Sequence, residues 1–153
     1  MADAFTASPV LGESLQKVLA DVTALSLNAK QLHWNIVGPG FRALHLYLDD
    51  VVAIAREASD EVAERMRAIG LTADGRPDSV ASANTLPKLG EGKISDVDGA
   101  AAAVAAITAT VGTLRQVHEK VDVEDPASAD ILLDYVRRLE QQAWFIGSAI
   151  ATA

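Results

Sequence analysis

The chain has 153 residues, with 13 Lys plus Arg against 21 Asp plus Glu for a formal charge of −8, and it contains no Cys. A chain of that length fits one domain with its own core, and the missing thiols exclude disulfides, thiolate metal sites and cysteine nucleophiles, so any metal must be held by imidazole and carboxylate. The acidic balance repels phosphate backbones and draws cations; with no uninterrupted apolar run of signal-peptide or membrane-span length, the expectation is a cytoplasmic protein with no membrane partner.

Residues 1–10 are expected to form an N-terminal tail and residues 11–153 one domain, with the tail ending where the first apolar stripe begins at Leu11. Leu11, Leu15, Val18, Val22, Leu25, Ala29, Leu32 and Ile36 recur in steps of three and four, the signature of a helix that buries one stripe. Gly38-Pro39-Gly40 stops it. A second stripe of Phe41, Leu44, Leu48, Val51, Ala55, Ala58, Val62, Met66 and Ile69 runs to Gly70, a helix C-cap. The link is so short that the two helices must form an antiparallel hairpin.

Residues 71–94 carry Gly75, Pro77, Pro87, Gly90 and Gly92 and predict a long crossover with one short helix near Ser79 to Ala83. After an N-cap at Ser95 or Asp96, a third stripe takes in Val97, Ala101, Val104, Ile107, Val111, Leu114, Val117 or His118, and Val121. His118 is expected on the surface with no special role. Asp125-Pro126 restarts the chain as N-cap and first helical residue, and Ala129, Leu132, Val136, Leu139, Ala143, Ile146 and Ile150 make the fourth stripe. The fold class is all-α: a four-helix bundle built from two hairpins and one long crossover that carries a short helix.

Chemistry concentrates on the second helix. His45, Asp49, Asp60 and Glu64 fall within about 100° of one another on its wheel, on a face well away from the apolar stripe. That face is expected to look at water or another chain. Leu46, Val52, Ala53 and Ala63 lie among the charges, a mixture of apolar groups and ligands that calls for a cover. His45 and Asp49 are spaced to converge on one ion, as are Asp60 and Glu64, but about 16 Å of helix separates the pairs at ~1.5 Å per residue. An antiparallel copy related by a two-fold axis between residues 54 and 55 would set His45 opposite Glu64 and Asp49 opposite Asp60. A two-fold contact of that kind creates two identical composite sites. His33, beside Trp34 at the edge of the first stripe, adds a second imidazole near the hairpin.

The run Lys30-Gln31-Leu32-His33-Trp34-Asn35-Ile36-Val37-Gly38, followed by Phe41, Leu44-His45, Asp49, Asp60 and Ala63-Glu64-Arg65, resembles the signature of the Dps family of mini-ferritins. Asp130-Ile131-Leu132 to Trp144-Phe145-Ile146 is similar to that family's last helix, so the resemblance spans nearly the whole chain. It implies a ferritin-like bundle assembled into a homo-oligomeric, dodecameric shell that oxidises Fe(II) with hydrogen peroxide or oxygen, stores ferric oxide and protects against oxidative damage. Carried over by position, His33, His45 and Asp49 belong to one subunit and Asp60 and Glu64 to its partner, with Trp34 backing the ligands. No Glu stands three residues before a His, as the usual bundle-core di-iron pattern requires.

Imidazole and carboxylate ligands suit iron and also accept zinc, manganese or cobalt. Asp122, Glu124, Asp125 and Asp130, around the start of the last helix, are pore candidates, with helix capping as their competing role. Many members of the family coat DNA through Lys-rich tails; Met1 to Gly12 has no Lys or Arg and Ala149 to Ala153 is uncharged, so DNA binding is expected to be weak or absent. The rival functions are a hydrolase that cleaves amides or esters with the same metal site, and a DNA-compacting shell.

Overall fold

The computed structural model describes residues 5–150, the last of them as backbone alone. Residues 1–4 of the expected tail and residues 151–153 of the uncharged end lie outside the described residues, and the first helix begins at Pro9, two residues inside the expected tail. In chain order the elements are α1 (Pro9–Asn35), β1 (Ile36–Val37), α2 (Phe41–Ala68), α3 (Pro77–Ala83), β2 (Ile94–Ser95), α4 (Asp96–Glu124) and α5 (Pro126–Ile150). The four long helices form the expected bundle. α1 pairs with α2, α4 pairs with α5, and the hairpins pack through α1 on α4 and α2 on α5.

Each end has a local cause. Ser8 caps α1 by accepting from the Leu11 N–H at 3.2 Å, and Pro9 opens the helix where no N–H is required. Glu124, from the far end of α4, accepts both the Ser8 N–H at 2.7 Å and its hydroxyl at 2.6 Å. At the end of α2, Gly70 adopts φ +85°. The Leu71 N–H then reaches back to the Met66 carbonyl at 2.9 Å and the Gly70 N–H to Arg67 at 3.2 Å. Those two bonds together satisfy the last carbonyls of the helix.

The crossover is tied down at two points. Gln16 exchanges two 2.9 Å hydrogen bonds with the backbone of Asp74. The carboxylate of Asp21, fully buried in α1, accepts from the Thr85 N–H and hydroxyl at 2.7 Å each. A parallel two-stranded pairing, Ile36 with Ile94 and Val37 with Ser95, fixes the end of the crossover to the α1–α2 corner. Two-residue strands leave no period for a sequence pattern to show.

One core layer runs through the bundle, with Leu15, Leu48, Met66, Ile107, Tyr135 and Leu139 among its fully buried large side chains. Each contributes roughly 1.5–3 kcal/mol of apolar burial. The stripes of α1 and α2 lie inside as expected, except that Phe41 is 41% exposed. The first turns of α4 correct the third stripe: Val97 and Ala101 face out, while Gly99, Ala100 and Ala103 face in. In a run this rich in Ala the apolar contrast is too weak to choose a face, and the smallest residues go where Ile36 approaches closest. A Cβ on Gly99 would lie 2.6 Å from the Ile36 Cγ2. α4 is also long and apolar enough by composition to cross a membrane, yet half of that stretch is buried inside the bundle, as in a core helix.

Candidate metal centre

The short α1–α2 corner brings the last turn of α1 against the first turns of α2. His33 Nδ1 lies 2.9 Å from the His45 carbonyl oxygen, and His45 Nδ1 lies 2.9 Å from the His33 carbonyl oxygen. A carbonyl only accepts, so both imidazoles carry their hydrogen on Nδ1 and present an Nε2 lone pair. The rings stack with centroids 3.5 Å apart and planes 20° from parallel. Both ligand orientation and tautomer are thus set by backbone atoms, the arrangement by which metal-binding histidines are usually held.

Asp49, one turn beyond His45, completes the group: one ligand atom from each of His33, His45 and Asp49 lies within 4.8 Å of the others. Asp49 Oδ1 also lies 3.4 Å from His33 Nδ1. His33 is buried, whereas the Asp49 side chain is 47% exposed.

The structure adds two residues whose roles the sequence pattern does not reveal. Lys30, one turn before His33 on α1, donates to Asp49 Oδ1 at 2.5 Å. That hydrogen bond is the main reason the Asp49 carboxyl sits below the ordinary carboxylate range; partial burial opposes it, and the charge of Lys30, together with that of either imidazole when protonated, reinforces it. Phe41 packs its ring 4.9 Å from that of His45, covering the imidazole pair from the corner.

One expectation is corrected. The ligand face of α2 does not point wholly away from its own subunit: its first half, with His45 and Asp49, lies at the seam with α1. Val52 on the same face is buried, while Leu46 and Ala53 remain exposed as expected. Trp34, expected to back the ligands, is 67% exposed in the single subunit, where Phe41 is the aromatic ring in contact with an imidazole.

Asp60 and Glu64 are exposed further along α2 and do not join the group. Their distance from it, about 16 Å of helix between Asp49 and Asp60 at ~1.5 Å per residue, excludes a site closed within one subunit. Of the carboxylates proposed for a pore, Asp122 and Asp130 are exposed and Glu124 holds Ser8. Asp125 is buried, paired to Arg65 Nη2 at 2.8 Å and bonded to the Ser128 hydroxyl. Burial pushes its carboxyl up, but the Ser128 and Arg65 hydrogen bonds and the Arg65 charge outweigh that and leave it below the ordinary range. His118 is half-buried and its Nε2 is shut away from solvent without a hydrogen-bond partner among the described residues, which corrects its expected place on the surface.

Comparison with known proteins agrees with the fold. The ferritin-like domain family matches residues 12–153. The fine tangled pili major subunit of Haemophilus ducreyi is 33% identical over 90% of this chain and 72% of its own. DNA protection during starvation protein 2 of Deinococcus radiodurans is 33% identical over 86% of this chain and 55% of its own length. Among solved structures, that of Dps from Microbacterium arborescens in its high-iron form superposes with a TM-score of 0.90 at 32% identity, covering 97% of this chain and all of that one.

Proposed function

The chain belongs to the Dps family of ferritin-like proteins, the iron-storage mini-ferritins, and from that premise we propose that it oxidises ferrous iron at sites shared between two subunits and stores the ferric product in a dodecameric shell. The observation that carries the reading is the imidazole pair locked by its own backbone carbonyls beside Asp49. A group with two neutral nitrogen donors and one carboxylate fits ferrous iron, and added carboxylates favour the ferric state by their charge. Asp60 of the partner subunit and Glu64 of the partner subunit supply them in this reading. The exposed position of both residues on α2 supports an intersubunit arrangement.

Lys30 has a part in the cycle. Its ammonium keeps Asp49 ionised in the metal-free protein and yields to a divalent ion, which carries twice its charge. Phe41 excludes water from one side of the rings. Two ferrous ions each give up one electron, and hydrogen peroxide with two protons becomes two waters; oxygen is the alternative oxidant. Removing ferrous iron and peroxide together suppresses hydroxyl-radical formation, which protects DNA in the cytoplasm without coating it. Each subunit adds its charge of −8 to the shell, a field that draws cations in, through Asp122 and Asp130 among others, and keeps DNA binding weak.

Anaerobic titration of the purified oligomer with ferrous iron, followed by peroxide, tests this directly. The expected result is saturable ferrous binding, peroxide consumed with two ferrous ions oxidised per molecule, and a shell of twelve subunits. Cleavage of amides by the metal-loaded protein, with no ferrous oxidation, would favour the hydrolase.

A further inference from the structure

We propose that Asp96 is a positioning residue for the imidazole pair: from the first turn of α4 it caps α2 and fixes the corner across which His33 and His45 reach each other. α2 lacks a cap of its own. Its N-cap is Gly40, and its first turn holds no acidic residue to meet the positive end of the helix. Asp96 supplies both from another element. Its Oδ2 accepts from the Gly40 N–H at 2.5 Å, and its Oδ1 from the Val97 N–H at 3.0 Å. One carboxylate therefore serves the N-termini of α2 and α4 together.

The corner is shaped around that carboxylate. Gly38 has φ +136°, and a Cβ there would lie 2.4 Å from Asp96 Oδ1; a Cβ on Gly40 would lie 2.7 Å from Oδ2. Either side chain would displace the carboxylate from its seat. Alongside, Ile36 pairs with Ile94 in the strand ladder and presses its Cγ2 into the notch left by Gly99. Residues 36–40 are thus fixed to residues 94–99 by a strand pair, a notch and one charged cap.

What this fixing does follows from helix geometry. His33 lies just before the corner and His45 just after it, and their two reciprocal 2.9 Å bonds require one register between the end of α1 and the start of α2. A slip of one residue along α2 would move His45 by about 1.5 Å and turn it by about 100°. Neither bond survives that. The Asp96 cap sets where α2 begins, and so sets that register. The inference rests on the iron reading only in its metal-binding arm.

The test compares Asp96→Ala and Asp96→Asn with Ser8→Ala, which removes a helix cap at the other end of the bundle. In the metal-free oligomer, hydrogen exchange of residues 38–44 should accelerate by about tenfold or more in Asp96→Ala, and Co(II) affinity, read from its visible absorption, should fall by about tenfold or more. Asp96→Asn, which keeps an oxygen and loses the charge, should lie between. Ser8→Ala should lower Tm and change neither readout. Wild-type Co(II) affinity in both Asp96 variants, or exchange at the corner no faster than in Ser8→Ala, overturns the proposal. Should Asp96→Ala not fold, the same two limits apply to Asp96→Asn. If the wild-type protein binds no Co(II), it is the iron reading that fails; corner exchange alone then decides the clamp, faster exchange supporting it and unchanged exchange refuting it.

Discussion

At the α4–α5 corner a single residue, Asp125, separates two long helices, and its charge is met inside the subunit by Arg65 from α2 and by Ser128, while Glu124 beside it caps α1 through Ser8. At the α1–α2 corner the polar groups are arranged otherwise. Among the described residues, each imidazole there uses one nitrogen on backbone and keeps the other free, and Asp49 has only the ammonium of Lys30 as an ionic partner besides the rings. The contrast separates scaffold from site: polar groups closed on one another hold the bundle together, and polar groups half-closed and oriented are left to bind something.

The largest effect that sharpens this contrast is expected at the open corner. His45→Ala removes a ligand and the ring stacked on His33 while keeping the backbone carbonyl that holds His33 Nδ1, and should cut the rate of ferrous oxidation roughly 1,000-fold with little change in Tm. A loss of stability without a loss of rate would reverse the assignment of the two corners. Arg65→Met at the closed corner should do the converse, costing about 2 kcal/mol in denaturant unfolding and leaving oxidation by the folded protein unchanged. This cost has a pH signature. Asp125 has a depressed pKa in the folded state, so its contribution is complete above the unfolded carboxylate value and is lost as pH falls through the folded one; the gap between wild type and Arg65→Met should shrink below about pH 4.

Lys30→Met should tighten divalent-ion binding by about tenfold, because the competing ammonium is gone. In the same variant the metal-free Asp49 should protonate at a higher pH than in the wild type, which a pH titration of Co(II) binding would follow. Gly70→Ala should have the smallest effect, about 1 kcal/mol in unfolding free energy read from denaturant titration, since only the left-handed cap at φ +85° resists a side chain.

The helices were legible because their stripes are long and their ends carry strong signals: Gly38-Pro39-Gly40, Gly70 and Asp125-Pro126 each stop or start a helix where the pattern does. The face of early α4 was not, because Ala100 and Ala103 differ little from Ala101 and Ala105 until a neighbour such as Ile36 selects one side. At the centre, spacing alone brings His45 to Asp49, since both lie on one helix. It cannot show that Lys30 falls on Asp49 or that Asp96 caps Gly40, because those contacts depend on how separate elements dock. Trp34 illustrates the same limit: adjacency to His33 in the chain places it on a different face of α1.

The account depends on a site completed by a second copy, and subunit mixing tests that most directly. His45→Ala and Glu64→Ala subunits, each inactive alone, are dissociated, combined and reassembled, and ferrous oxidation by peroxide is then measured against each parent. A two-fold shared centre predicts recovered oxidation, because a mixed pair holds one site with all its ligands. A mixed shell as inactive as its parents would contradict it.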